Sequence, residues 1–342
     1  MGIFSEAPIQ MDSNDPPLQT SFEALLCNTQ TFSEARTAAV QECELPVIDL
    51  GILSHGSPDE VRQCKRDIAL AASEWGFFQI MNHRVGGDLL SRMISEQVKA
   101  FRQPFEKKSK ESLSDFPIES YRWGTPTATS LHQFSWSEAY HVPLSETSRV
   151  GDTNNMLRTT MEEYARVVSE IAWVLVEALV EDLGGDVSYF ETNCTSKTCY
   201  LRLNRYPLCP LSSGGVFGLT PHTDSDFMTI VYQDHVGGLQ LKKDGRWVTV
   251  KPNLDALVVN IGDLFEAWSN GLYKSVEHCV VANPNTERFS IAYFFCPSYD
   301  SVIESCTKPT IYRKFSFREF REKVQEDVKK TGTKVGLRRF LA

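Results

Sequence analysis

No stretch of this 342-residue chain approaches the run of about eighteen apolar residues that a membrane-spanning helix needs, so no such segment is expected. Blocks of like charge are missing as well. The formal charge of −9 is spread along the chain, which makes nucleic acid and anionic membranes poor candidate partners. Cys-x-x-Cys spacing is absent among the nine cysteines, which are odd in number and stand mostly among apolar neighbours. That usage fits a reduced, intracellular protein. The Met-Gly start only partly matches an N-myristoylation signal. A cytoplasmic location is the expectation, with the nucleus also open to it. Internal repeats and low-complexity segments are absent too.

What the chain does have is a change of period along its length. Residues 1–42 are polar, include Asp15-Pro16-Pro17, and read as a flexible, loosely held arm with at most one short helix. Residues 43–190 are mainly helical, after a first strand over 45–50. Ser57-Pro58-Asp59-Glu60 offers an N-cap, a proline at the first helical position and a glutamate three after the cap. Val61, Cys64, Ile68, Ala71 and Trp75 give that helix an apolar stripe, Gly76 ends it, and 77–81 is a short buried strand. A second pattern runs from Leu90 through Met93, Val98 and Phe101 to Phe105, with Pro104 marking a kink or end. The segment 121–143, rich in aromatics, Ser and Thr, reads either as one wall of a pocket or as a packed surface loop. A long helix follows over 156–183, stopped by Gly184-Gly185.

Beyond it the period becomes two. Over 191–300 short alternating strands are separated by Gly, Pro and Asn turns, and Asp244-Gly245 marks a hairpin. Residues 301–342 form a helical extension, its last helix capped by Ser316 and Glu319. The fold class is therefore α+β, with a carboxy-terminal barrel or sandwich and helices supplied mainly by the amino-terminal half.

Chemistry concentrates in the alternating region. His222 and Asp224 stand two residues apart, so both can face one way; Asp226 shares their parity, and alternation alone leaves open which aspartate joins the histidine. His278 interrupts the strand Val276-Glu277-His278-Cys279-Val280-Val281, either as a satisfied core histidine or as a second ligand. Two imidazoles and one carboxylate on one face of a metal leave the opposite positions open, which suits non-haem Fe(II). Arg288 and Ser290 face the same side of an otherwise apolar strand. A guanidinium there is costly to bury unless it captures a small carboxylate or pairs with a residue such as Asp255 or Asp263. Asn204 and Tyr206 project together and reach towards the same anion, or merely pack. His55, His132 and His235 are left as structural, and Arg313 and Lys314 as surface charges.

Taken jointly, the chain resembles the plant 2-oxoglutarate- and Fe(II)-dependent dioxygenases over nearly its whole length. The residues that carry the resemblance are the 45–50 entry, Trp75-Gly76-Phe77-Phe78-Gln79, Asn82-His83, Asn204-x-Tyr206-Pro207, His222-x-Asp224, Gly237-Gly238-Leu239-Gln240, Asn260-x-Gly262-Asp263, Ser269-Asn270-Gly271, His278 and Arg288-x-Ser290. Within that family, Ser120-Tyr121-Arg122-Trp123-Gly124, the segment 135–143 and His222-Thr223-Asp224-Ser225-Asp226-Phe227 look like the gibberellin 2-oxidases, most like those acting on twenty-carbon gibberellins.

The resemblance implies a jelly-roll double-stranded β-helix flanked by helices. It implies Fe(II) on His222, Asp224 and His278, with 2-oxoglutarate and dioxygen as co-substrates and ascorbate as a supporting reductant. Arg288 takes the catalytic anchoring role, with Ser290 and Tyr206 on the distal carboxylate of 2-oxoglutarate and Asn204 near its metal-bound end. Trp123, Trp136, Tyr140, Phe227 and Phe294 are the candidate aromatic pocket for a rigid terpenoid. Two departures stand out: Arg84 where the family usually has Gly after Asn-His, and Cys279 where Arg commonly follows the distal histidine. The alternatives are gibberellin 3- or 20-oxidation, oxidation of a flavonoid or another hormone, a non-catalytic carboxylate or hormone binder, and a zinc hydrolase. The sequence leaves the oligomeric state open.

Overall fold

The computed structural model of the protein describes residues 13–26, 40–110, 120–147, 155–195, 197–210 and 216–342. Its first half supplies strands β1 (Glu42–Cys43), β2 (Val47–Asp49), β3 (Phe77–Met81), β4 (Tyr121–Trp123) and β5 (Glu138–Pro143). The second half supplies β6 (Tyr200–Tyr206), β7 (Phe217–His222), β8 (Met228–Gln233), β9 (Leu239–Lys243), β10 (Arg246–Val250), β11 (Leu257–Ile261), β12 (His278–Val281) and β13 (Arg288–Phe295). They assemble into a smaller sheet ordered β1-β10-β9-β12-β7 and a larger one ordered β2-β3-β11-β8-β13-β6-β5-β4. Helices cover the larger sheet, and the whole is the jelly-roll with flanking helices that the resemblance implied.

Alternation decides which residues each sheet face receives. On β13, Ile291, Tyr293 and Phe295 face the helices and are fully buried, while Arg288, Ser290, Ala292 and Phe294 line the space between the sheets. The helix Met156–Asp182 lays Met161, Tyr164, Val168, Ala172, Leu175 and Leu179 into the core cluster that also holds those β13 side chains. Each such large side chain contributes about 1.5–3 kcal/mol relative to exposure. Trp173 packs edge-on against Phe295, and Tyr293 donates to Ser169 Oγ at 3.1 Å, which ties helix to sheet.

Local signals act as the sequence indicates in several places. Ser57 and Glu60 form the reciprocal capping box of the helix Pro58–Glu74. Asp244 and Gly245 both take positive φ, 49° and 78°, and connect β9 to β10. Ser316 accepts from the Glu319 N–H at 3.0 Å to start the helix Phe317–Thr331. The second helical pattern stops at Phe101, with Pro104 separating it from the short helix Phe105–Lys110.

Three regions differ from the sequence reading. The larger sheet is not confined to the carboxy-terminal half, because β3 pairs with β11 and β5 with β6. The segment 121–143 is loop only in its middle: β4 and β5 at its two ends extend that sheet, and turns and a short 3-10 helix, Leu131–Gln133, join them. Residues 13–26 are tied down: Leu18 and Leu26 are buried in a cluster with Leu131, Phe134 and Trp136. Asp15 also pairs with Arg205 at 2.7 Å. Two short helices, Leu18–Ser21 and Glu23–Leu26, stand where at most one was expected. Residues 1–12 and 27–39 of that arm lie outside the described residues, and Glu42 already belongs to β1.

The pairing of β5 with β6 is fixed by a buried charge network. Glu138 accepts from Lys108 Nζ at 2.6 Å and from Arg205 Nη1 at 2.7 Å, and Tyr121 donates to the same carboxylate. All four residues are buried. Removing one partner of such a set leaves an uncompensated charge, which costs about 3–5 kcal/mol.

Candidate active site

A cavity of about 200 Å³ lies between the two sheets, and strand ends place its polar groups. His222 ends β7 and His278 begins β12; the two are direct cross-strand partners with ring centroids 4.4 Å apart. Asp224 follows β7 by two residues and is buried. Its Oδ1 lies 3.5 Å from His222 Nε2 and 3.9 Å from His278 Nε2. The three candidate ligand atoms all lie within 4.8 Å of one another.

The surrounding hydrogen bonds prepare these atoms to accept a cation. His222 Nδ1 donates to Thr220 O at 2.8 Å and His278 Nδ1 to Val276 O at 3.1 Å. A carbonyl only accepts, so each Nδ1 carries the proton and each Nε2 presents a lone pair. Asp224 Oδ2 accepts from Thr229 Oγ1 at 2.6 Å and from Asn260 Nδ2 at 2.7 Å, which leaves Oδ1 to face the imidazoles. Burial pushes the Asp224 carboxyl up, but the two imidazoles and the Thr229 hydroxyl together hold it well below the usual carboxylate range. Burial and the nearby His222 push His278 down to about 4. Both therefore hold the protonation state that a metal ligand requires.

The open choice between the two aspartates is answered by direction. Asp226 Oδ2 meets Thr229 Oγ1 at 3.2 Å, and its Oδ1 lies against Gly262, where an added Cβ would come within 2.4 Å. Burial, then the charge of Asp224, drives the Asp226 carboxyl well above its ordinary value. Lys334, from the carboxy-terminal segment, fastens the intervening loop. It donates to Thr223 O at 2.9 Å and Ser225 Oγ at 2.8 Å and pairs with Asp263 at 2.7 Å.

The other end of the cavity is an anion site in chemical terms. Arg288 and Tyr206 are cross-strand partners, with the guanidinium 4.9 Å from the ring centroid. Gly218 makes room for that ring, since a Cβ there would stand 2.6 Å from Tyr206 Cδ1. Arg288 Nη2 donates to Gln233 Oε1 at 2.8 Å, while its Nε and Nη1, both buried, have no partner. Neither Asp255 nor Asp263 pairs with it; Asp263 is occupied by Lys334 and by Ser275 Oγ at 2.6 Å. Asn204 donates to Ser290 Oγ at 3.3 Å one step along the same strand pair. A buried guanidinium with two idle N–H groups fits a carboxylate brought in by a ligand.

The structure gathers His222, Asp224, His278, Asn204, Tyr206, Arg288, Ser290 and Phe294 around one cavity. It does not bring the other four expected aromatics there. Tyr140 is the cross-strand partner of Leu203, on the helix-facing side of β6, and packs on Phe101 and Tyr121. Phe227 is fully buried among Phe190, Phe265 and Phe295. Trp136 is buried against Phe134 and donates to Leu208 O at 3.1 Å. Trp123 packs on Phe22 and Phe105. All four serve packing: strand parity on β4 and β5 turns Trp123 and Tyr140 away from the space between the sheets, while Trp136, just before β5, and Phe227, just before β8, sit in apolar clusters of their own.

Sequence reasoning missed Thr229, Gln233, Arg202 and Arg321. Arg202 shares the inward parity of Asn204 and Tyr206 on β6, and that was the available signal; Thr229 and Gln233, on β8, and Arg321, on the helix Phe317–Thr331, had no recognised neighbour to mark them. Asn260 was noticed in a motif without a role. Of the two departures, Arg84 holds φ at 63°, the left-handed value a glycine adopts freely, and Cys279 is buried on the face of β12 that does not line the cavity.

Comparison with known proteins agrees with this geometry. Residues 197–297 match the model of the 2OG-Fe(II) oxygenase superfamily, and residues 45–159 match the one described as non-haem dioxygenase in morphine synthesis N-terminal. The chain is 56% identical to Gibberellin 2-beta-dioxygenase 8 of Arabidopsis thaliana, covering 96% of this chain and 98% of that one. It is 51% identical to Gibberellin 2-beta-dioxygenase 6 of Oryza sativa subsp. japonica, covering 95% and 96%. Among solved structures, JOX2 in complex with 2OG, Fe and JA superposes with a TM-score of 0.73 at 29% identity, covering 89% of this chain and 91% of that one.

Proposed function

The chain belongs to the 2OG-Fe(II) oxygenase superfamily and within it to the gibberellin 2-beta-dioxygenases, and from that premise we propose how its residues divide the work and which gibberellins it takes. The reaction is the 2-beta-hydroxylation of gibberellins, coupled to oxidative decarboxylation of 2-oxoglutarate to succinate and carbon dioxide, a catabolic step for the hormone. His222, Asp224 and His278 are the residues that would hold Fe(II). The single observation that carries this is the donor set: two imidazole Nε2 atoms and one carboxylate oxygen within 4.8 Å, each fixed by a hydrogen bond on its other side. Bound there, Fe(II) supplies the chemistry that brings 2-oxoglutarate and dioxygen together and oxidises the substrate.

The chain's own contribution is orientation and exclusion. Arg288 binds the distal carboxylate of 2-oxoglutarate through its idle Nε and Nη1, with Ser290 and Tyr206 beside it and Asn204 nearer the ligands. Gln97 Nε2 reaches through the sheet to Asn204 O at 3.0 Å and Ser290 O at 2.9 Å, holding β6 and β13 in step. Leu219, Val231, Val280, Ala292 and Phe294 keep the intervening wall apolar and limit water near the reacting groups.

The preferred substrates in this reading are the twenty-carbon gibberellins, which rests on the similarity of the 120–143 and 222–227 segments to that subgroup. A cytoplasmic location, the nucleus included, belongs to the same reading. Its support is that the eight described cysteines are free thiols, six of them buried. No described helix is long and apolar enough to cross a membrane. Competition between nineteen- and twenty-carbon gibberellins for the Fe(II)- and 2-oxoglutarate-loaded enzyme, with products separated by mass spectrometry, tests the preference. A higher kcat/KM for the twenty-carbon compounds supports it, and a higher value for the nineteen-carbon ones overturns it.

A further inference from the structure

Two guanidiniums lining the active-site cavity have no hydrogen-bond or ion-pair partner among the described residues, and neither belongs to the anion site around Arg288. Arg202 continues the inward face of β6 beyond Asn204 and stands opposite Ala292 on β13. Arg321 reaches the same cavity from the helix Phe317–Thr331. Among the described residues, neither side chain makes an ion pair or hydrogen bond, although both are half-buried. Nearby arginines behave differently. Arg205, on the opposite face of the same strand, is tied to Asp15, Glu138 and Glu287. Arg318, one turn earlier on the same helix, pairs with Asp300 at 2.9 Å.

Position separates this pair from the co-substrate. Tyr206, the partner of Arg288, lies four residues from Arg202, which along a strand is about 13 Å. The carboxylate of Asp224 is held by Thr229, and Thr229 is opposite Phe294, the residue facing Tyr200. Arg202 therefore stands near the metal-ligand end of the cavity and Arg288 at the other. Beside it Phe294 stacks on Tyr200 at 4.4 Å and 10°, and His141 lies tilted by 35° against Tyr200 at 4.1 Å; Phe294 and Tyr200, which line the cavity, give it an aromatic surface for a rigid apolar body. A cavity with an apolar wall and two unneutralised cations at one end fits an apolar acid.

We propose that Arg202 and Arg321 bind the carboxylate of the substrate, so that the enzyme selects an apolar carboxylic acid and orients it by that group against the ligand triad. This rests on the gibberellin reading above, gibberellins being terpenoid acids. Arg202 and Arg321 are then specificity-determining residues, distinct in role from Arg288.

The test compares a gibberellin with its own methyl ester on the Fe(II)- and 2-oxoglutarate-loaded enzyme, in wild type and in Arg202→Met, Arg321→Met and Arg321→Lys. Wild type is expected to prefer the acid by about ten- to hundred-fold in kcat/KM, the range of a charge-assisted hydrogen-bonded pair. Each Met variant should lose most of that preference through a raised KM for the gibberellin, with the KM for 2-oxoglutarate held. Arg321→Lys should recover part of it, because charge remains while the fork is lost. An acid-to-ester ratio unchanged in the variants overturns the inference, as does a parallel rise in both KM values. Equal turnover of acid and ester by wild type overturns it without any variant, should one fail to fold. A wild type that hydroxylates no gibberellin in either form overturns the functional reading itself, and the inference with it.

Discussion

Thr229 and Asn260 are cross-strand partners on β8 and β11, and both donate to one oxygen, Asp224 Oδ2, at 2.6 and 2.7 Å. The pair decides which oxygen the carboxylate presents to the two imidazoles.

Thr229→Val keeps the shape of the strand and removes one of those donors. Fe(II) affinity is expected to fall about ten- to hundred-fold, the usual loss when a ligand's supporting hydrogen bond is deleted. Asp224→Asn should lose iron binding far more completely, whereas Asp226→Asn, whose side chain points at Gly262, should retain it. Anaerobic Fe(II) titration of the three variants checks the order; Asp226→Asn behaving like Asp224→Asn would reverse the assignment of the ligand.

How much of this was legible in the sequence follows from which side chains report their own environment. Arg288 and Ser290 were readable because two polar residues of equal parity interrupt an apolar strand, and the register Arg288 to Tyr206 and Ser290 to Asn204 bears the alternation out. The Ser57 cap and the Asp244-Gly245 turn were readable because each is a local device completed within four residues. Tyr140 was not, because β5 reads Glu-Ala-Tyr-His-Val-Pro, and a strand built on a buried glutamate has no apolar alternation to reveal which way its tyrosine points. The burial of Lys108, Glu138 and Arg205 was hidden for the same reason: charged residues default to the surface, and only their mutual pairing, distant in sequence, brings them inside.

Arg288→Gln removes both idle N–H groups from the anion site. A charge-assisted pair is worth about 1.5–3 kcal/mol, so the KM for 2-oxoglutarate should rise roughly ten- to hundred-fold. The KM for gibberellin should move far less. Because Nε and Nη1 of Arg288 are unpaired among the described residues, and burial outweighs the pull of its charge on Asp234, Tm in the absence of 2-oxoglutarate should change little. A large drop in Tm would give Arg288 a structural role instead.

Stability of the metal-stripped protein should decline on acidification between about pH 6.5 and 4, owing to His278. Its folded pKa is depressed to about 4 by burial and by His222, so over that window the unfolded chain binds the proton and the folded chain does not. Stability is thus present above the unfolded value and is lost as pH falls towards the folded one, by at most about 3 kcal/mol. Thermal melts at pH 7 and 5 should show the decline in wild type and a shallower one in His278→Gln. Equal slopes in the two proteins would contradict this origin.

Arg84 holds φ at 63°, where an L side chain costs about 1–2 kcal/mol. Arg84→Gly relieves that strain and gives back part of it through the freer unfolded chain. The net expectation is a gain of about 1 kcal/mol, or roughly 2 °C in Tm for a chain of this size. Calorimetry of the variant checks it, and a lowered Tm would mean that the Arg84 side chain itself contributes more than its backbone costs.

The measurement that reaches the central claim most directly is a single turnover of the protein, loaded anaerobically with Fe(II) and 2-oxoglutarate and mixed with oxygenated gibberellin, with succinate and product counted and the new hydroxyl located by NMR. The account predicts one succinate for each hydroxylated gibberellin, with the hydroxyl at the 2-beta position, and no succinate from His278→Ala. Hydroxylation at another carbon, or product formed by the variant without His278, would contradict it.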